Sequence, residues 1–399
     1  MKRIAIVTSE FFIPDSGNTG GLGSYVWNIA NYLNSKGIEV FIYTKNAQPL
    51  KDKMSFGQTK VHLFPFVSKI NYSFKNRVTN YFWIRFKKRS YFHYDRLKRE
   101  AKLIHHYLKE ETKKYNFDLI QYSNLGGIGY YPIKEVPTIL RISSLTDLYW
   151  KFGKGYYGLS EQNIRAQIKI ENESYRKFKT IIGPCKRMLS FVEVKAQKIH
   201  LLSPFSTILF KNNDSKILNK SLSFFGSVDY RKGADLFLDI VEEFSSSLSR
   251  VIIAGKLYED TEENHTIKYR VKNSSLIEFY ENLQKPKLFQ LLSEIDIVIL
   301  PSRVDNLPNT LLESIQMGKI VIGPDSWGFD DVIVSGYNGF LFNEGSREDL
   351  FRKVRMVLGL NMEEKEKIRI NARETFHRLN SEKSSDKIFR TYLKIFEDN

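Results

Sequence analysis

The sequence predicts an α/β protein made of two Rossmann-like parallel-sheet halves. Three observations predict it. Short apolar, β-branched runs alternate with helical patterns along most of the 399 residues, as they do in βαβ units whose strands are buried on both faces. The alternation stops once, over residues 195–220, where Ser203-Pro204-Phe205-Ser206 and Asn212-Asn213-Asp214 stand with weak periodicity, and then restarts. Charge also divides at that break: residues 1–200 hold 34 Lys/Arg against 15 Asp/Glu, and the remainder holds 27 against 30. Two halves of opposite charge character imply different partners. The expected domains are residues 1–200 and 201–375, with a helix over 376–399 packing back on the first.

The elements follow in order. Met1-Lys2-Arg3 and the apolar residues 4–7 imitate a secretion signal, but the stretch is too short and Glu10 follows it, so 4–8 reads as a buried strand. A glycine-rich turn with Gly17, Gly20, Gly21 and Gly23 leads to a helix over 25–35, with the free N–H groups of its start, from Ser24, aimed at the turn. Val26, Ile29, Ala30 and Leu33 share one face of it, and Gly37 stops it. Further strands are expected at 40–44, 61–66, 119–122, 138–142 and 180–183, and after the break at 222–226, 250–255, 277–280, 296–301 and 320–323. The tail from about 345 reads as helical and charged.

Composition excludes several classes. At 42% hydrophobic and 27% charged residues the chain is not disordered. A single cysteine, Cys185, rules out an internal disulfide framework and a Cys-cluster metal site, and fits a reducing compartment. No apolar run reaches the ~18 residues that a spanning helix needs.

Three segments carry chemistry. The first glycine turn suits a phosphate or a sugar hydroxyl, or is a plain tight loop; the dinucleotide fingerprint is not met. In the second half, Gly226-Ser227-Val228-Asp229-Tyr230-Arg231-Lys232-Gly233 joins a strand to a helix. Lys232 at the mouth of that helix suits a diphosphate, or is half of a solvated Arg-Lys pair. The third segment holds Arg303, Asp305, Asn306, Leu307 and Pro308 on a loop and Glu313 about one turn into the next helix. Both carboxylates would face the crevice at the carboxyl ends of parallel strands. There they can accept charge-assisted hydrogen bonds from sugar and ribose hydroxyls, or simply complement the helix dipole.

Taken together these segments resemble the retaining, nucleotide-sugar-dependent glycosyltransferases of the GT-B fold, family 4 (group 1). Gly20-Gly21-Leu22-Gly23 resembles the family's N-terminal glycine loop, and Gly226 through Lys232-Gly233 its Gly-Arg-Leu-x-x-x-Lys-Gly diphosphate motif. Asp305 with Glu313 resembles the Glu-x7-Glu motif, and Gly336-Tyr337-Asn338-Gly339 the Gly-x-Asn-Gly strand. The resemblance implies two Rossmann-like domains facing each other across a cleft. It implies that Glu313 binds ribose hydroxyls and that Asp305 holds donor-sugar hydroxyls with backbone groups of Asn306, Leu307 and Pro308. Lys232 would neutralise the diphosphate, with Gly20 and Gly21 supplying backbone contacts. Three residues depart from the pattern. Ser227 stands in place of the diphosphate Arg, leaving Arg231 and Arg303 as replacements. Asp305 is one methylene shorter than Glu. Ser143, near Arg141 on the acceptor side, stands where many relatives carry His.

The expected function is therefore retaining transfer of a sugar from a nucleotide-diphosphate sugar to a glycan or lipid-linked acceptor in cell-surface polysaccharide biosynthesis. It needs no metal and no cofactor beyond that co-substrate. A sugar-nucleotide-binding partner subunit without activity, or a non-hydrolysing epimerase, are the alternatives. Residues 69–102 hold eleven Lys/Arg, only Asp95 and Glu100 as acids, and interleaved aromatics. They fit an anionic membrane surface, or a core helix with a solvated basic side. No nucleic-acid module is visible. The expected location is cytoplasmic, free or peripheral at the inner face of the plasma membrane.

Overall fold

The structure, a computed structural model, describes residues 2–11, 21–45, 53–56, 59–64, 73–153, 158–204, 217–281, 283–379 and 381–397. In chain order the elements before the break are β1 (Arg3–Thr8), α1 (Gly21–Ser35), β2 (Glu39–Thr44), β3 (Lys53–Phe56), β4 (Thr59–Leu63), α2 (Phe74–Lys87), α3 (Tyr91–Tyr115), β5 (Leu119–Ser123), β6 (Thr138–Arg141), α4 (Thr146–Phe152), α5 (Glu161–Tyr175), β7 (Thr180–Gly183), α6 (Lys186–Ser190) and β8 (Gln197–His200). After it come β9 (Leu218–Phe225), α7 (Ala234–Glu243), β10 (Arg250–Ala254), α8 (Glu262–Asn273), β11 (Ile277–Tyr280), α9 (Lys285–Glu294), β12 (Ile295–Ile299), α10 (Asn309–Gln316), β13 (Ile320–Pro324), β14 (Phe340–Phe342), α11 (Arg347–Gly359), α12 (Met362–Leu379) and α13 (Ser381–Glu397).

The chain divides into two compact units. The first comprises Met1–Asp147, Leu159–Ser206 and Ser381–Asn399, and the second Leu148–Gly158 and Thr207–Asn380. In the first unit the sheet order is β3-β4-β2-β1-β5-β6-β7-β8. All neighbours pair in parallel except β3, which runs antiparallel to β4. Strand β8 falls inside the stretch that the sequence marks as a break. Its exposed, polar residues give it no apolar run, because it is an edge strand covered on one side only.

Helix α1 starts at Gly21, a turn earlier than its periodicity indicates, because Leu22 and Gly23 are already buried. It lays Val26, Ile29 and Leu33 on Ile4, Ile6, Val40 and Ile42. Helix α13 joins this same core with Ile388 and Tyr392. Tyr392 Oη donates to Gln121 Oε1, and Tyr32 Oη to Asp386.

The second sheet is parallel throughout, in the order β11-β10-β9-β12-β13-β14. Strands β12 and β13 are buried along their whole length and β9 from Ser221 onward, as strands covered on both faces must be. Helix α12 is pinned beneath β12 by charge. Asp296, fully buried, accepts from Lys365 Nζ at 2.6 Å and from Arg369 Nη2 at 2.6 Å. Lys319 Nζ donates to Ser293 O at 2.8 Å, and burial with the Arg369 charge pulls its pKa down to about 7.

Candidate functional site

In the second sheet the chain runs outward from β9 to β10 and β11, then from β12 the other way to β13 and β14. The strand order therefore reverses between β9 and β12. Loops at the carboxyl ends of strands flanking such a reversal are where open α/β sheets bind ligands. Those two loops carry Lys232 and Asp305.

The loop after β9 opens at Gly226, whose φ of 129° only glycine adopts readily. Asp229, buried, organises the rest of this loop: Oδ1 accepts from the Lys232 amide at 2.7 Å and Oδ2 from Arg231 Nη2 at 3.2 Å. The Arg231 guanidinium also lies over the Tyr149 ring, 5.1 Å from its centroid. Gly233 caps α7 with φ 74°, and a Cβ there would stand 2.1 Å from the Pro301 carbonyl. Only glycine lets the two loops approach this closely.

The loop after β12 is built around Asp305, also buried. Its Oδ1 accepts from the Asn306 amide at 2.9 Å and its Oδ2 from Ser302 Oγ at 3.1 Å. Lys232 Nζ donates to the same Oδ2 and closes an ion pair between the loops. Leu307 then takes the left-handed conformation, φ 56°, which costs about 1–2 kcal/mol for a side chain with a Cβ. It is held there by its amide bond to Trp327 O at 3.1 Å. Pro308 precedes α10 and no side chain caps that helix, so its first amides are aimed at the loop mouth. Glu313 lies on α10, partly exposed.

The structure thus joins Lys232 to Asp305 across 73 positions of sequence. Arg231 and Arg303, the two replacements for the cation absent at Ser227, both carry carboxylate partners. Arg303 sends Nη1 and Nη2 to Asp235 at 2.7 and 2.6 Å, donates to Tyr230 O at 2.6 Å, and stacks 3.7 Å above the Tyr230 ring. Its guanidinium is engaged on the side of α7, and it ties that helix to the loop after β12. Ser227 is half-buried beside Gly226. Asp229, Asp235 and Ser302 are site-building residues that the motif reading passed over. Asp229 had a local signal: an Asp three residues before Lys-Gly at a strand-to-helix turn is a side chain suited to bonding its own backbone.

In the first unit the described residues begin again at Gly21, so Gly20 lies outside them; Gly21 is the first residue of α1. Arg141 ends β6 and is buried. It donates to Ser143 Oγ at 2.6 Å and to Ser203 Oγ at 2.7 Å and stacks 3.5 Å over Tyr25. Burial lowers its pKa below the ordinary arginine value, and the titratable groups acting on it are Tyr25 and Tyr392. The Ser143 amide donates to Asn124 Oδ1 at 2.8 Å. Nearby in the same network, Glu171 accepts from the Gly126 amide at 2.8 Å, Thr146 Oγ1 at 2.9 Å and Gln167 Nε2 at 3.0 Å. Burial pushes its pKa up to about 7.

Cationic Lys232, the start of α7 and the uncapped start of α10 make a place for a phosphorylated group. The Asp305 carboxylate beside them suits hydroxyls. Comparison with known proteins identifies the fold. Residues 208–375 match the family described as "Glycosyl transferases group 1". The whole chain superposes on the sucrose-phosphate synthase of Thermosynechococcus elongatus with a TM-score of 0.75, at 14% identity, covering 100% of both chains. It superposes on the Anabaena protein HepE, solved with UDP-glucose, with a TM-score of 0.67 at 14% identity, covering 99% and 100%. The fold is GT-B, and the segment that matches the group 1 glycosyltransferase family lies in its second unit.

Two curated relatives are an uncharacterized glycosyltransferase of Methanocaldococcus jannaschii, 24% identical over 44% of this chain and 47% of that protein, and the N,N'-diacetylbacillosaminyl-diphospho-undecaprenol alpha-1,3-N-acetylgalactosaminyltransferase of Campylobacter jejuni, 23% identical over 42% of each. The chain matches less than half the length of either.

Proposed function

We propose that the protein transfers a glycosyl group, with retention at the anomeric carbon, from a nucleotide-diphosphate sugar to a glycan or lipid-linked acceptor in cell-surface polysaccharide synthesis. The observation that carries this reading is the Lys232–Asp305 pair at the strand-order reversal, inside the segment that matches the group 1 family. The acceptor class is suggested by the diphospho-undecaprenol substrate in the Campylobacter relative's name.

In this reading the bond between the anomeric carbon and the β-phosphate oxygen breaks, and the diphosphate leaves with the electron pair. The acceptor hydroxyl attacks from the same face, and its proton passes to a leaving-group phosphate oxygen. Negative charge grows on the diphosphate, and Lys232 with the helix starts stabilises it; such preorganised groups supply about 2.7–4 kcal/mol each. When phosphate takes Lys232, Asp305 keeps its Ser302 and Asn306 donors and is freed to accept from sugar hydroxyls. Glu313 holds the ribose. Arg141 and Ser143 serve the acceptor side.

A radiolabelled sugar-nucleotide assay with product analysis tests the reading. Transfer or slow hydrolysis to free nucleotide diphosphate is expected, after a thermal-shift panel has picked the donor. Binding without turnover would leave a partner subunit instead. Conversion of the donor to an isomer would make the protein an epimerase.

A further inference from the structure

Helix α2 has its polar and apolar faces reversed. Its partly covered residues are Asn76, Thr79, Asn80 and Trp83, a helical stripe turned toward α3. Asn80 Oδ1 accepts from the Phe92 amide at 3.2 Å, Asn76 Nδ2 donates to Tyr91 Oη at 3.4 Å, and the Trp83 ring meets those of Tyr91 and Tyr94 at 5.4 Å. The opposite face carries Phe74, Val78, Phe82 and Phe86 at four-residue spacing. Phe74, Phe82 and Phe86 are 83%, 51% and 72% exposed, with Tyr81 beside them at 65%. The Phe82 and Phe86 rings stack at 5.8 Å. No residue of the helix is buried. A surface helix ordinarily turns its apolar stripe inward, so a stripe turned outward points to something that covers it.

Charge says what. From Ser73 to Ser90 the chain holds Lys75, Arg77, Arg85, Lys87, Lys88 and Arg89 and no acid. A second copy of this face would bring two such cationic clusters together. An anionic lipid surface neutralises them and takes up the rings at the headgroup boundary. The helix is also preformed. Ser73 Oγ accepts from the Asn76 amide, Asn76 Oδ1 accepts from the Ser73 amide, and left-handed Lys88 closes the other end. Little ordering remains to oppose binding.

We propose that α2 is an interfacial anchor: Phe74, Phe82 and Phe86 enter an anionic bilayer at its headgroup–acyl boundary while the flanking lysines and arginines meet lipid phosphates. It narrows the membrane reading of residues 69–102 to the span 74–89. Within that stretch, residues 91–102 are the start of α3, whose Leu97 and Ala101 are buried, and 69–72 lie outside the described residues. Among the described residues no helix is long and apolar enough to cross a membrane, so α2 lies along the surface.

Co-sedimentation of the full chain with vesicles tests this and needs no sugar nucleotide, so its failure leaves the transfer reading untouched. Wild type is expected to bind phosphatidylcholine–phosphatidylglycerol vesicles, to bind pure phosphatidylcholine weakly, and to be released by salt. A Phe82→Ser/Phe86→Ser variant and a Lys75→Glu/Lys87→Glu variant are each expected to bind the mixed vesicles about tenfold less or weaker still. Their melting temperature should be unchanged, because Lys75, Phe82, Phe86 and Lys87 are exposed. Equal binding to both vesicle types, or no loss in either variant, would overturn the proposal. So would a concentration-dependent dimer that the double Phe variant abolishes while wild type ignores vesicles; that result would assign the face to a second copy.

Discussion

The two units differ in how they hold the buried charges nearest their candidate sites. In the second unit the cations of the site and its support stand in opposite-charge pairs: Lys232 with Asp305, Arg231 with Asp229, Arg303 with Asp235, and Lys365 and Arg369 with Asp296. In the first unit Arg141 is buried among two serine hydroxyls and a tyrosine ring, and Glu171 is buried among neutral donors. A paired cation binds an incoming anion by exchange, giving up one carboxylate for another negative group. A buried ion served only by neutral dipoles has no partner to surrender, and it carries its full desolvation cost into the folded state. The second unit is thereby equipped to switch partners. Arg141 and Glu171 of the first unit are charges for which the described residues supply no counter-ion.

The sharpest test of that contrast is Lys232→Ala, expected to lower turnover by about 10²–10³ in the radiolabel assay. A near-normal rate would show that the exchange at Lys232 does nothing. Next comes the pH dependence of folding. Glu171 has a folded pKa of about 7 against an ordinary value of 4.5, so between those pH values the folded protein holds a proton that the unfolded chain lacks. Stability from this group is full below the lower value and is lost as pH rises toward the upper. Glu171→Gln should remove that slope, with up to about 3 kcal/mol of relative gain above pH 7, measured by denaturant titration at several pH values. An unchanged slope would mean that Glu171 is ionised throughout.

A smaller effect is expected from Asp235→Ala, which strands the half-buried Arg303. A loss of about 1–2 kcal/mol in the same titration fits a pair between the exposed and buried extremes. The smallest is Arg141→Met. Removing a buried cation that has no carboxylate among the described residues should change stability by less than about 1 kcal/mol. If Arg141 serves the acceptor, transfer should fall while donor binding by thermal shift stays. A large stability loss would mean that an anion of the fold holds Arg141 after all.

Much of this architecture was legible in the sequence because central parallel strands need continuous apolar runs. Strand β7 falls at the bounds its apolar run predicts, and β1, β2, β5 and β10 within a residue at either end. The edge strands β3 and β8 were not legible, whereas β11, also at an edge, falls at its predicted bounds. Lys53–Phe56 and Gln197–His200 are four residues each and carry no continuous apolar run, since an edge needs only one partner. The order of Lys232, Asp305 and Glu313 along the chain could be read; the ion pair could not, because motif spacing names positions and not which side chain closes on which. The engagement of Arg303 with Asp235 was equally out of reach. It depends on α7 and the loop after β12 packing side by side, and nothing local to either segment reports that. Trp327 and Leu307, both at positive φ, are held by tertiary contacts that local propensity does not foresee.

Helix α13 has a consequence for how the chain is made. Its Ile388 and Tyr392 complete a core whose other members lie mostly in β1, α1 and β2. The unit that leaves the ribosome first must therefore wait for the last described helix before its interior closes, while residues 207–380 of the second unit are translated in between. A stop codon just ahead of Ser381 would spare the second unit and cripple the half synthesised at the outset, an inversion of the usual expectation that late truncations damage late structure.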